Sequence, residues 1–542
     1  MLKHISEFTF ILLLGAAITF GGQKISPDLE SADPSKDADI IVQFKTPPTD
    51  AHFKRFTDAG GKHKGTLNFI KGAAFGKIPH GQLKKLAADP DVAYISPDRE
   101  VKGALDYASS TVGATTAYGQ GWDGTGIGVA VIDSGVYTHP DLDTKTFSQA
   151  SRVVYSQNFV VNQTATGDGY GHGTHVASVI AGSAKKSICS GCTAVLRGIA
   201  PNANIISLRA LGNNGSGTDS AVIAAIQRAI ALKSTYNIRV INLSLGRPVT
   251  ESYKTDPLCQ AVEAAWKAGI VVVVAAGNEG RNNKQGTAGY STIASPGNDP
   301  YVITVGAMKT MATAARGDDV IASYSSKGPT LLDRIVKPDL VAPGNRIIAP
   351  EYNNATLWKS YPGNVVALSY YGGNTALSQY FRLSGTSMAA PMVSGAAALM
   401  LHKDPSLTPD QVKARLMKTA TKTFPSSSIA TGPATGVAYT SQYDIFTVGA
   451  GYLDVWAAMN DTTVVTGTAI SPAVTRNAVT NAISLLYGSG VVWGTGVVWD
   501  SNVVWGTGGN LAGTGVVWGS SVVWGSGTPA TESTAITING EN

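Results

Sequence analysis

Runs of apolar, largely β-branched residues recur through the middle of this chain: GVAVID, RVVYS, NIISLRAL, RVINLSL, GIVVVVAAG and YVITVGAM. Most are continuous rather than alternating. A strand with one face in water alternates apolar and polar residues, whereas a continuous run suits a strand buried on both faces. Helical stretches lie between the runs. The pattern predicts an α/β fold with a mainly parallel central sheet and helices on both faces, spanning residues 105–460. Several runs end in short polar clusters, DSG, SLG and GNEG. Ligands of open α/β sheets gather at the carboxyl ends of the strands, so these clusters are candidate site residues.

The flanking regions have other textures. Lys3 and His4 precede an apolar run from Phe8 to Phe20, followed by small residues. That layout reads as a secretory signal peptide over residues 1–22. The run is short of the roughly 20 apolar residues that a spanning helix needs, so export without a stable membrane span is expected. A polar linker, 23–38, follows. Residues 39–104 show a β-α-β-α-β rhythm that predicts a small α+β domain.

Residues 461–542 contain one Arg, no Lys and four acids. This Trp/Gly-rich, β-prone tail repeats the triplet VVW, with Trp493, Trp499, Trp505, Trp518 and Trp524. Within each group the tryptophans recur at an even spacing, which places them on one face of an extended chain. A tail packed on the main domain and a stacked ribbon for surface attachment both fit.

Composition narrows the function classes. At 542 residues the chain exceeds one compact domain. Charged residues make up 15%, and the net charge of +5 comes without clustered Lys and Arg, which excludes a nucleic-acid footprint. Of the three cysteines, Cys189 and Cys192 flank Ser-Gly. A loop disulfide, a redox pair and part of a metal site are the three readings of that spacing. No further Cys or His stands at metal-ligand spacing, and export favours the disulfide. Cys259 lies on an apolar helical face and reads as a buried thiol.

Three groups in the middle zone carry the chemistry of acyl transfer. Asp133 closes GVAVID, His172 opens GHGTHVAS, and Ser387 sits at the start of the helix-like SGTSMAAPMVSGAAALM. A serine hydroxyl needs a base within reach, and the base needs a third group to set its tautomer. Each residue alone is a common turn, loop or cap residue. Together, the motifs VAVIDSGV, GHGTHVAS and SGTSMAAP resemble those of the subtilisin-like serine proteases, whose chain order is also Asp…His…Ser. Residues 39–102 likewise resemble the family's inhibitory propeptide.

That resemblance implies a secreted serine endopeptidase made as a self-processed zymogen. It implies Asp133 as orienting acid, His172 as general base, Ser387 as nucleophile and Asn278 of AAGNEG as oxyanion donor. His175 is structural. Gly215, Ser216 and Gly217, with Ser244, Leu245 and Gly246, match two edge segments that pair with an extended polypeptide substrate. Ala294 falls at the floor of the first specificity pocket, with Glu279 at its rim, which suits a large apolar side chain and admits a basic one. The propeptide acts as an intramolecular inhibitor, cut near Ala104. No catalytic cofactor is implied. Structural calcium is the one metal the resemblance brings, with Asp141 of THPDLD as the candidate ligand, although a Ca²⁺ site takes about six to eight oxygens. An esterase is disfavoured because Gly385-Thr386-Ser387-Met388-Ala389 lacks the final Gly of G-x-S-x-G. A surface or adhesion protein on a protease-like scaffold is the other alternative.

Overall fold

The computed structural model of the chain describes residues 24–30, 33, 35–98, 104–143, 150–189, 192–283, 286–372, 378–432, 436–465, 467–476, 483–486 and 540–541. The signal-like segment 1–22 and the Trp repeats lie outside the described residues. The chain divides into two compact units, Met1–Val101 and Lys102–Asn542.

In the first unit four strands, β1 (Asp37–Phe44), β2 (Lys62–Leu67), β3 (Gly72–Pro79) and β4 (Val92–Pro97), form one sheet in the order β2-β3-β1-β4. All its pairings are antiparallel. Helices Asp50–Asp58 and Leu83–Ala87 connect them, giving the split β-α-β-β-α-β arrangement. The alternating strand residues Ile40 and Val42 are fully buried with Phe56 and Phe75, whose rings stack at 4.8 Å.

Two features depart from the sequence reading. Strand β2 (KHKGTL) has no fully buried residue, so it lacks the apolar alternation that would reveal it. The linker 23–38 is not free of the unit, because Ile25 and Leu29 are buried in its core.

In the second unit eight strands build the main sheet: β5 (Gly128–Asp133), β6 (Val153–Asn158), β7 (Asn204–Arg209), β8 (Ile238–Leu243), β9 (Val271–Ala275), β10 (Ile303–Lys309), β11 (Val320–Ile321) and β12 (Leu340–Pro343). The order is β11-β10-β9-β8-β5-β7-β6, with β12 also paired to β10. Only the β10–β11 pairing is antiparallel. Every residue of β5, β9 and β10 is buried, as continuous apolar runs demand. Strand β6 is the edge, and none of its residues is fully buried.

Strand β5 has β7 on one side and β8 on the other. From it the chain order runs in both directions, so its carboxyl end lies at a topological switch point. Helix Thr386–Lys403 packs on helix His172–Ala181 and against β8, β9 and β10, while helix Asp219–Ala231 packs on Pro257–Lys267. Among the described residues no helix is long and apolar enough to cross a membrane.

The described residues just past Asn460 pack within this unit. Ala473–Arg476 pairs with Ile483–Leu486, and Val474 and Ile483 pack with Tyr290, Val336, Ile445 and Phe446. Ser471 Oγ donates to Asp339 Oδ1 at 2.5 Å. Asp339 in turn anchors a charged core. Lys337 Nζ lies 2.7 Å from its Oδ2 and Lys413 Nζ 3.3 Å from its Oδ1, all three side chains being inaccessible to solvent. Lys413 also donates to the carbonyls of Pro300, Tyr301 and Val302. Burial would drive the Asp339 carboxyl up, but the two ammonium groups hold it below the usual carboxylate range. Removing one partner from such a cluster leaves uncompensated buried charge. Asp339→Asn is therefore expected to destabilise the protein by about 3–5 kcal/mol, measured as a shift in the denaturant midpoint.

Candidate active site

Asp133 is the last residue of β5 and is fully buried. Its carbonyl accepts from Ala210 N at 2.8 Å and Leu211 N at 3.1 Å, so the sheet itself holds the residue in place. Ser134 N donates to its Oδ1 at 2.7 Å. His172 opens the helix His172–Ala181. Its Nδ1 lies 2.8 Å from Asp133 Oδ1 and 3.0 Å from Oδ2. A proton on Nδ1 donates to the carboxylate and leaves Nε2 with its lone pair, the tautomer a general base needs. Burial favours the neutral ring. The charge and hydrogen bond of Asp133, with the charge of Asp168, outweigh it and raise the imidazole above its ordinary value.

Asp168 escaped the sequence reading. It is buried and accepts five bonds, from Ser134 Oγ (2.9 Å), Tyr170 N (3.1 Å), Gly171 N (2.7 Å), Thr174 N (2.7 Å) and Thr174 Oγ1 (2.6 Å). It therefore ties the end of β5 to the first turn of the His172 helix. The available signal was a carboxylate just ahead of a helix start, where it meets free N–H groups. His175 is buried with its Nε2 3.2 Å from both Ile347 O and Phe381 O, and burial pushes it down to about 3. It stays neutral and has a structural place, as the motif implied.

Ser387 is the second residue of the helix Thr386–Lys403. Gly385 before it has φ +142°, a conformation that L side chains rarely adopt, and a side chain there would stand 3.4 Å from Asn278 Nδ2. By sequence alone Pro391 falls in the first turn. The helix begins at Thr386, so Pro391 lies in the second turn, where its missing N–H deprives the Ser387 carbonyl of an i+4 donor. Ser244 supplies the substitute: its Oγ donates to Ser387 O at 2.7 Å. In return Ser387 Oγ donates to Ser244 O at 3.1 Å, and not to His172. Ser244 is held by Asn242 Nδ2 (3.0 Å), and Asn242 Oδ1 accepts from Ser394 Oγ (2.8 Å).

Asn278 follows β9. Its Oδ1 accepts from Thr386 N at 3.0 Å and Thr386 Oγ1 at 3.1 Å. With the oxygen so engaged, the Nδ2 donor end is left for the cleft that Asn278 lines.

Two adjoining cavities meet at Ser387 and Asn278. One, of about 480 Å³, has His172, Ser387, Gly215–Gly217 and Ser244–Gly246 in its wall. The other, of about 490 Å³, is lined by Leu245, Gly246, Glu279, Ile293, Ala294 and Leu331 among others. A side chain at Gly246 would come within 3.0 Å of the Ala294 methyl, which places Ala294 on the pocket wall opposite the Ser244–Gly246 segment. Every residue assigned to substrate contact from sequence thus borders one cleft or its neighbour.

Asp141 lies elsewhere and is fully buried. Its Oδ1 accepts from Lys186 N at 2.8 Å and its Oδ2 from Tyr380 Oη at 2.7 Å. Its carbonyl accepts from Arg152 Nη2 and Ser183 N, both at 2.8 Å. A protein donor thus meets each of its three oxygens, the guanidinium at the carbonyl. Among the described residues no group of three His, Cys, Asp or Glu side chains gathers as a metal site. Cys189 and Cys192 are joined in a disulfide across a Cα–Cα distance of 5.0 Å. Cys259 is a buried thiol beside Asn298.

The sequence matches the subtilase family over residues 124–435. Serine protease AprX of Bacillus subtilis (strain 168) is 36% identical over 71% of this chain and 83% of its own length. Subtilisin E of the same organism is 34% identical over 67% of this chain and 79% of its own. The solved structure of fervidolysin from Fervidobacterium pennivorans is 24% identical and covers 80% of this chain and 63% of that one, at a TM-score of 0.49. The chain belongs to the subtilase family. It is a serine endopeptidase with a subtilisin-like fold.

The exchange between Ser244 and Ser387 makes a prediction. Ser244→Ala takes this donor from the part-buried Ser387 carbonyl, and the expected cost is about 0.5–1.5 kcal/mol. Chemical denaturation of the purified variant checks it.

Proposed function

We propose that this protein is an exported endopeptidase zymogen that hydrolyses peptide bonds through Ser387, His172 and Asp133, with Asn278 as oxyanion donor. The observation that carries the reading is the bond of 2.8 Å from the buried Asp133 to His172, whose part-buried ring lines the same cleft as Ser387 at a helix N-terminus. In the reaction the Ser387 hydroxyl turns from Ser244 O to His172 Nε2 and attacks the scissile carbonyl. Catalytic hydrogen bonds of this kind often tighten only when substrate is bound. His172 takes the proton, and Asp133 stabilises the imidazolium.

The negative charge that develops on the carbonyl oxygen is met by Asn278 Nδ2 and the Ser387 N–H, at the positive end of the helix. His172 then returns the proton to the departing amine. A water molecule repeats the sequence on the acyl-enzyme. His175 takes no part, because it is fully buried with its Nε2 engaged by the carbonyls of Ile347 and Phe381.

An extended polypeptide lies between Gly215–Gly217 and Ser244–Gly246 and is held by backbone bonds, as an added strand. The pocket beside Ala294 selects a large apolar or aromatic side chain, and Glu279 at its rim admits a basic one. Residues 1–22 direct export. Residues 39–104 serve as the inhibitory propeptide, cut near Ala104 by the enzyme itself. The support for these steps is the sequence pattern and the family's character.

Ser387→Ala is expected to lower kcat on casein by about 10⁶, and Asn278→Ala by about 10²–10³, the magnitudes found for the corresponding groups of a subtilisin. Retention of most activity by Ser387→Ala would sink the assignment. Because the His172 imidazole is held above its ordinary value, and the neutral ring is the base, kcat/KM should rise with pH along a limb centred above about 6.5. A pH–rate profile with its acid limb at or below that value would contradict the Asp133–His172 coupling.

A further inference from the structure

The distal end of the low-charge tail returns to the catalytic unit. Glu541 is 4% exposed. Arg281 Nη2 donates to its Oε1 at 2.9 Å, Lys309 Nζ stands 3.3 Å from its Oε2, and Ser323 N donates to Oε2 at 3.2 Å. Ser323 Oγ also donates to Oε1. The backbone is gripped as well. Glu541 N donates to Asn345 Oδ1 and Asn345 Nδ2 donates to Glu541 O, both at 2.9 Å. Arg281 and Lys309 are themselves only 9% exposed.

The slot is built for a carboxylate. Two buried cations, a hydroxyl and a backbone N–H converge on one acidic side chain, and the Asn345 amide pairs with both the N–H and the C=O of the same residue. Such a cation pair is costly to bury without an anion. The residue before the acid is also specified. Gly540 has φ +75°, and a Cβ there would stand 2.5 Å from both Ser384 Oγ and Arg346 Cγ. The slot therefore takes a Gly-Glu segment and rejects a bulkier residue before the acid.

Its position matters more than its strength. Arg281 lies three residues after Asn278, and Ser384 three before Ser387. Ser384 Oγ accepts from Arg346 N at 2.8 Å, and Gly385 N donates to Gly344 O at 2.8 Å, next to Asn345. Gly540–Glu541 thus bridges the loop that carries Asn278 and the segment that carries Ser387. We propose that Gly540–Glu541 is the chain's own ligand for this slot, and that its docking braces the oxyanion side of the cleft against the Ser387 helix. The bracing rests on the roles given above to Asn278 and Ser387; the docking does not. Glu541 and Arg281 are positioning residues, and neither touches the reacting atoms.

The test uses the full chain, with intact mass confirming that residues 540–541 are present. Glu541→Gln keeps the size and removes the charge. It should lower the thermal midpoint by roughly 5 °C and kcat roughly tenfold, with KM within about twofold. Glu541→Asp should recover part of both. Gly540→Val should act like Glu541→Gln through a different atom. The losses of Arg281→Gln and Glu541→Gln should not add in the double variant. An unchanged midpoint in Glu541→Gln or additive losses overturns the docking, and a fully active enzyme whose mass lacks the segment overturns the bracing. A lowered midpoint with unchanged kcat overturns the bracing. Ser387→Ala separates this from the catalytic assignment, since it should abolish turnover and leave the midpoint shift on Glu541→Gln in place.

Discussion

The pairing of β5 between β7 and β8 is the constraint on which the site depends. It buries every residue of the strand and fixes its last one, Asp133, through bonds from Ala210 N and Leu211 N. From that fixed carboxylate the rest is placed by short bonds. His172 is oriented by Asp133, and Ser134 and Asp168 tie the same strand end to the first turn of the His172 helix. Strand β8 runs parallel to β5 and ends just before Ser244, which is bonded to Ser387 in both directions. A shift of β5 along either neighbour would carry Asp133 away from His172. The rigidity of the sheet is thus the source of the preorganisation that this chemistry needs.

Buried charge is handled in three ways. Asp133 is paired with a titratable ring and keeps it above its ordinary value. Asp168 is met only by hydroxyl and amide donors, and burial, the largest influence, leaves its carboxyl above the usual range. Asp339 is shared by two lysines and held below it. The first environment raises an imidazole, the second anchors a loop, and the third locks the region before β12 to the helix Pro409–Thr419 and to Ser471. The Glu541 slot likewise brings two cations to one acid.

Much of the fold was legible because its signals are local. Continuous apolar runs such as VVVVA and GVAVID mark the buried parallel strands. Strand β2 was missed because KHKGTL shows no apolar alternation to mark it. Ile25 and Leu29 are too few to show a period, yet both are buried. Pro391 was placed one turn too early because a helix start is decided by Gly385 and its contacts rather than by the apolar pattern.

The sequence by itself determined the chemistry on offer: which carboxylate, imidazole, hydroxyl and amide stand in motifs, and in which chain order. It did so because residue types, their neighbours in a motif and their order along the chain are properties of the sequence itself. Only the tertiary structure decided that Ser244 replaces the donor Pro391 removes, that Asp168 collects five bonds, that Asp141 is committed to protein donors, and that Glu541 returns to Arg281 and Lys309. Those partners are between a few and 260 residues apart. Distance in space between such residues is set by sheet pairing and helix packing, and no local pattern encodes it.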